Sequence, residues 1–168
     1  MYRSRGFSLV ELMVSIVVLA ILVSIAVPSF QTWLRNTQIR NAAESVTNGL
    51  QRARAEAVSR NAQTTLVLGA DSSWTISVVT PASVIEQRLA SEGSKNVTST
   101  IVPVGATTVT FDSFGQVRTV NADGSAPFTQ VDFTAIGGNQ NLRVTLGAGG
   151  NARMCDPNMA SGSSPRAC

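Results

Sequence analysis

The sequence predicts an α+β fold in which one long N-terminal helix, its first half transmembrane and its second half amphipathic, packs on a mostly antiparallel β head. Three observations predict it. Residues 7–27 form an apolar run with one charge, residues 39–57 repeat apolar side chains at helical spacing, and from residue 62 the apolar period changes to two. A chain of 168 residues holds about one domain, so no separate catalytic domain fits beside such a head. Hydrophobic residues at 43%, charged residues at 14% and a mean hydropathy of +0.15 exclude a disordered charged tail.

The first element is the apolar run FSLVELMVSIVVLAILVSIAV, residues 7–27. At about 1.5 Å per residue it reaches roughly 31 Å, which fits one bilayer crossing. The preceding residues 1–6, MYRSRG, hold Arg3 and Arg5 and no acid, so the positive-inside tendency leaves this end in the cytoplasm and sends the rest across. The run exceeds the core of about 7 to 15 residues of an ordinary secretory signal, and no A-x-A exit follows it; retention as an anchor is expected. Glu11 inside the run costs about 2.5–3.5 kcal/mol on insertion scales and calls for a partner, or else snorkels to the headgroups.

The second element, residues 28–61, is an amphipathic extension of the same helix. Pro28 removes one backbone donor and is expected to bend it. Ile39, Ala43, Val46, Leu50, Ala53 and Ala57 recur at steps of 4, 3, 4, 3 and 4 and mark a buried stripe, which Arg35, Arg40, Arg52, Arg54 and Arg60 avoid. Those arginines read as a solvated face or as a basic flank that docks on other subunits. Asn61 lies where the pattern ends and can take the left-handed conformation of a C-cap.

The third element is the head, residues 62–168. TTLVLGA, WTISVVT, TSTIVPV, TVTFDSF, TQVDFTAIG and NLRVTLGA are short runs rich in Val, Thr, Ile and Phe between Gly, Ser, Asp, Asn and Pro clusters. Asp71, Asp112, Asp123, Asp132 and Asp156 sit beside turn residues, where Asp satisfies backbone donors; calcium is the other reading of these acids. Cys155 and Cys168 allow one internal pairing, read as a disulfide closing a Gly/Ser-rich terminal loop, which suits an oxidising compartment. The competing reading is two free thiols.

The residues offer little chemistry. With no His, neither a Ser-His-Asp triad, a Cys-His dyad nor a His-based metal site can be built. Gly147-Ala148-Gly149-Gly150 leads into Asn-Ala-Arg-Met-Cys rather than a helix, and reads as a hairpin turn, not a phosphate cradle. No enzyme, cofactor or metal is expected. A formal charge of +3, which falls to +1 without Arg3 and Arg5, is too small to argue for nucleic acid.

The junction of Gly6 with Phe7-Ser8-Leu9-Val10-Glu11 resembles the class III leader of type IV pilins and type II secretion pseudopilins. The resemblance implies that prepilin peptidase cuts between Gly6 and Phe7, that Phe7 becomes the N-methylated terminus, and that Glu11 meets the N-terminal amine of a neighbouring subunit. Leu50-Gln51-Arg52-Ala53-Arg54-Ala55-Glu56-Ala57-Val58-Ser59-Arg60-Asn61 resembles the L-x-x-A-R-x-E-A-x-x-R-N helix end of the GspH/FimT branch. Val109-Thr110-Phe111-Asp112-Ser113-Phe114-Gly115 is similar to its V-x-F-x-x-x-G turn. Leu142-Arg143-Val144-Thr145-Leu146, Gly149-Gly150 and Arg153 are similar to its closing strand and glycine hairpin. Residues 70–105 are unmatched.

The cystine-closed end looks more like type IV minor pilins, and the chain is most similar to FimU-type ones. That implies a type IV pilin-like fold and a structural subunit that helps initiate, or caps, a type IV pilus, with other minor and major pilins or pseudopilins as partners. Its place would be the bacterial inner membrane, single-pass with a periplasmic head, then the fibre. The alternative machine is a type II secretion system, with the chain as its minor pseudopilin H. A third reading is a DNA-binding competence pilin. Some FimT-like members bind DNA through a Gly-Arg-x-Arg turn, and here that turn is Gly150-Asn151-Ala152-Arg153, with Asn in place of the first Arg. Arg143 and Arg153 remain possible contacts, but DNA is not expected as a partner.

Overall fold

The computed structural model describes residues 8–69 and 71–168. Helix α1 spans Leu9–Arg60 as one element of 52 residues, continuous through Pro28. Ser8 caps its start: the hydroxyl accepts the Glu11 amide at 3.2 Å, satisfying one of the orphan donors of the first turn. At the other end Asn61 sits at φ 48°, ψ 41°, as expected for a left-handed cap. The Asn61 amide donates to Val58 O and the Ala62 amide to Ala57 O, so the last carbonyls are closed as a Schellman motif.

The stripe falls where the spacing placed it. Ile39, Ala43, Val46, Leu50, Ala53 and Ala57 are all fully buried, joined by Ala42, Ser45 and Gly49. None of the described residues before Ile39 is buried: up to Leu34 the helix stands clear of the head, and residues 35–38 are only half-covered by its loops.

Eight strands follow: β1 Thr64–Leu68, β2 Trp74–Val78, β3 Ser83–Arg88, β4 Val97–Val102, β5 Thr108–Phe111, β6 Gln130–Ala135, β7 Leu142–Leu146 and β8 Ala152–Cys155. They form two four-stranded sheets, ordered β3-β2-β1-β5 and β4-β6-β7-β8, with every strand pair antiparallel. Both sheets pack against α1. Phe111, Phe128 and Phe133 with Leu66, Ile76 and Val144 fill the space between. Burying each such side chain is worth about 1.5–3 kcal/mol.

Two strands had no apolar run to announce them. β3 is an edge strand with only Ile85 and Arg88 partly buried, so no alternation marks it, and its Glu86 and Arg88 keep the open edge charged. β8 is short and also at an edge, reached from β7 through the Gly147–Gly150 turn. The 98–104 run is cut at Val102, before Pro103, which has no ladder donor to offer.

Of the five aspartates expected at turns, four behave so. Asp71 accepts from Ser73, Asp123 from Ser125, and Asp156 from Asn158, while Asp112 Oδ1 takes the amides of Phe114 and Gln116, both at 2.9 Å. The Ser125 hydroxyl and amide hold the Asp123 carboxyl below its ordinary pKa. Asp132 corrects the expectation: it lies inside β6, opposite Arg143 of β7. The two residues pair as a salt bridge across the sheet, so the acid serves a strand rather than a turn.

Candidate functional site

At the N-terminal end Glu11 occupies the first turn of α1, exposed, where the helix dipole favours a carboxylate. Gly6 and Phe7, the expected processing residues, lie outside the described residues. From Leu9 to Leu34 the large apolar side chains point into open space, and an 18-residue window there has a mean hydropathy of 2.8 with none of it buried. A soluble helix would hide such a surface. This one is long and apolar enough to cross a membrane, and it leaves Glu11 on an otherwise apolar cylinder.

At the C-terminal end of α1 the three head and helix motifs meet. Arg54 Nε donates to Gly115 O at 3.1 Å. The stem of Arg54 lies against both Gly115 and Gly150, whose φ values of 76° and 79° are left-handed. A Cβ on Gly150 would fall on the Gly115 carbonyl oxygen, so the turn after β5 and the hairpin between β7 and β8 touch backbone to backbone. The Val117 amide donates to Ala148 O at 3.0 Å and joins the same two turns. Arg54 thus stays on the exposed face and also ties a turn of each sheet to the helix end.

Its neighbours on the helix behave differently. Glu56 faces Arg60 at 2.6 Å and Arg52 at 2.9 Å. The Arg60 hydrogen bond, followed by the charges of Arg52 and Arg60, outweighs the opposing effect of desolvation and holds the Glu56 carboxyl below its ordinary pKa. Arg40 pairs with Glu44 at 2.8 Å.

The residues singled out for DNA are engaged within the head. Arg143 grips Asp132 with two parallel hydrogen bonds, Nε to Oδ1 at 2.7 Å and Nη2 to Oδ2 at 2.9 Å. That bond raises the pKa of the Arg143 guanidinium further. Arg153 Nη2 donates to Pro165 O and Ala167 O, both at 3.0 Å. It therefore straps the terminal loop, which the Cys155–Cys168 disulfide closes with Cα atoms 5.1 Å apart. Among the described residues no group of His, Cys, Asp or Glu side chains converges as a metal site.

The sequence matches the model of the family described as Type II transport protein GspH over residues 42–159. The chain belongs to the GspH family. Residues 1–27 match the prokaryotic N-terminal methylation motif. Among solved structures the fold is similar to the minor pseudopilin EpsH from the Type 2 Secretion System of Vibrio cholerae. That likeness has TM-score 0.55 and 16% identity over 73% of this chain and 99% of the other. The fold is also similar to the type IV minor pilin FimU of Pseudomonas aeruginosa, with TM-score 0.53 and 18% identity over 81% of this chain and 98% of the other. No curated protein matches the sequence. GspH-family chains are structural pilins and pseudopilins with a type IV pilin-like fold, and the long helix carrying antiparallel sheets is that fold.

Sequence reasoning missed the side chains that dock the head on the GspH helix. Trp74 Nε1 donates to Ser45 Oγ at 2.8 Å in the buried interface, and Thr64 Oγ1 donates to Ala53 O at 2.7 Å. Gly49 gives Trp74 its room, for a Cβ there would lie 3.0 Å from the indole. The lone glycine of the amphipathic half was the available signal, since a helix-interior Gly costs about 1 kcal/mol against Ala and wants a packing reason.

Proposed function

We propose that this GspH-family chain is a minor pilin that helps initiate assembly of, or caps, a type IV pilus. In this reading prepilin peptidase removes residues 1–6 and Phe7 becomes the methylated terminus, which the match to the N-terminal methylation motif supports. The apolar half of α1 holds the subunit in the bacterial inner membrane with the head in the periplasm. On extraction the helix joins the fibre core, and Glu11 there pairs with the N-terminal amine of a neighbour, neutralising two charges in an apolar setting.

The observation that carries the pilus reading is the terminal loop closed by Cys155–Cys168 and strapped by Arg153, because a cystine-closed C-terminus resembles type IV minor pilins more than secretion pseudopilins. A second reading, minor pseudopilin H of a type II secretion system, draws support from the description of the matching family and the likeness to EpsH. A third, DNA-binding competence pilin, has less to stand on, since Arg143 and Arg153 already hold partners within the head.

The deciding experiment compares a deletion strain with strains carrying the wild-type chain or Glu11→Ala. Lost piliation with normal protein secretion, and wild-type chain recovered in sheared pili with residues 1–6 gone and Phe7 methylated, is the expected result. Glu11→Ala should be cleaved and membrane-bound yet depleted from the fibre. Lost secretion with normal piliation would hand the chain to the secretion system.

A further inference from the structure

Along α1 the first contacts with the head come at Arg35 and Asn36, and the boundary between the apolar half and the head has its own chemistry. Phe30 and Trp33 are exposed with ring centroids 5.7 Å apart. Along a helix they lie about 4.5 and 9 Å beyond Val27, within and just past the outer edge of the headgroup layer if residues 7–27 fill the hydrocarbon. Trp and Tyr side chains concentrate at that depth, and Trp33 is one of them.

Immediately above them two loops of the head are pinned to the helix. Asn36 Oδ1 accepts the amides of Asn139 and Gln140 at 3.1 and 3.3 Å, which fixes the β6–β7 turn, and Asn96 donates to Gln38 Oε1 at 3.3 Å, which fixes the loop before β4. These loops carry Ile136 and Lys95. Both residues line one depression of about 410 Å³ with Arg35 of α1. Ile136 is 94% exposed although it sits on a tight turn where a polar residue would cost nothing.

The charges there are also set apart. Arg40, Arg52, Arg60, Arg88 and Arg143 each face a carboxylate and Arg54, Arg118 and Arg153 donate to backbone carbonyls, which among the described cations leaves Arg35, Lys95 and, on the terminal loop, Arg166 with neither. Two uncompensated cations, an exposed aliphatic side chain and an aromatic pair therefore share the end of the head nearest the apolar helix.

We infer that this end, formed by Phe30, Trp33, Arg35, Lys95 and Ile136, is a docking surface for an anionic phospholipid bilayer and orients the head on the membrane before the subunit enters a fibre. The inference rests on the proposed membrane anchoring of α1. Charge complementarity and continuity with the apolar segment select the bilayer as occupant. Cations near an anionic surface are attracted to it, and Ile136 adds apolar contact at the outer face of the headgroup layer.

The test uses the full processed chain in nanodiscs of phosphatidylcholine alone or with one-third phosphatidylglycerol. A fluorophore is placed at Ile136→Cys with the native disulfide intact, and quenching by headgroup spin-labelled lipid is read. At least about twofold more quenching is expected in the anionic discs, lost in Arg35→Ala/Lys95→Ala. Equal quenching in both lipids would overturn the inference, and so would quenching that depends on a second copy in the same disc, which would assign the surface to subunit contact. A label at Ile16→Cys, quenched by chain-labelled lipid in both discs, reports anchoring separately. Failure at position 16 condemns the membrane reading itself, and success there with equal quenching at 136 condemns only the docking surface.

Discussion

Arg54 Nε reaches the carbonyl oxygen of Gly115 at 3.1 Å, while the stem of the same side chain lies over Gly150. One residue of the helix thus holds a turn from each sheet, and the three motifs separated in sequence meet at it. A glycine is required at position 150 for two reasons: its φ of 79° and the Gly115 carbonyl occupying the place a Cβ would take.

Gly150→Ala should therefore destabilise the protein by about 3 kcal/mol or more, from overpacking and left-handed strain together. Arg54→Ala should cost less, about 1–2 kcal/mol, since water can reach the carbonyl it leaves. Chemical unfolding followed by tryptophan fluorescence measures both. A Gly150→Ala midpoint equal to wild type would mean the two turns separate freely.

Ser45→Ala should cost about 1–3 kcal/mol by leaving the buried Trp74 indole N–H without an acceptor. Adding Trp74→Phe to Ser45→Ala removes the stranded donor, so the pair of substitutions should cost less than the sum of the single ones. Strict additivity would show that the hydrogen bond contributes nothing across the helix–sheet interface.

What the sequence revealed follows from which residues carry a period. The stripe from Ile39 to Ala57 and the alternating runs of β1, β2, β6 and β7 are legible because burial repeats at 3.6 or 2, while β5, buried at all four positions, is legible as a short run of Thr, Val and Phe. β3 was not, since an edge strand lying off the helix has no face to bury. The clamp at Arg54 was legible as a motif but not as a contact: its partners lie 61 and 96 positions away and are backbone and glycine, which leave no chemical signature. The buried Asn121, whose amide bonds Thr110 N and Thr108 O along the open side of β5, is hidden in the same way, among turn residues of ordinary composition.

Glu56 makes stability depend on acid pH. Its folded pKa lies below its ordinary value of 4.5, chiefly through the Arg60 hydrogen bond, so its contribution is complete above about pH 4.5 and is lost as pH falls through the folded value. The arginines are half-exposed, so the contribution should stay below about 1 kcal/mol. Glu56→Gln should be slightly less stable than wild type at pH 7, and the two should converge once the pH has fallen below the folded pKa of Glu56. A gap that widens on acidification would reverse the sign and refute the ion-pair account.

A head comprising residues 28–168 should fold without the apolar segment, because the described core begins at Ile39 and draws only on the helix from that point and on the β head. It should keep the Cys155–Cys168 bond, and Cys155→Ser/Cys168→Ser should lose about 3 kcal/mol, the loop-closure value for a loop of this length. The same fragment separates scaffold from DNA receptor. Arg143→Ala should lower stability by stranding Asp132 between strands, and Arg153→Ala should loosen the terminal loop, because both guanidiniums are structural ties. Association of the wild-type head with duplex DNA should be weak and should fade as salt rises, since few cations remain free for phosphates. Submicromolar DNA binding at physiological salt, abolished by Arg153→Ala in a head that still melts like wild type, would show that Arg153 leaves its carbonyl partners for phosphate and would put DNA uptake ahead of scaffolding.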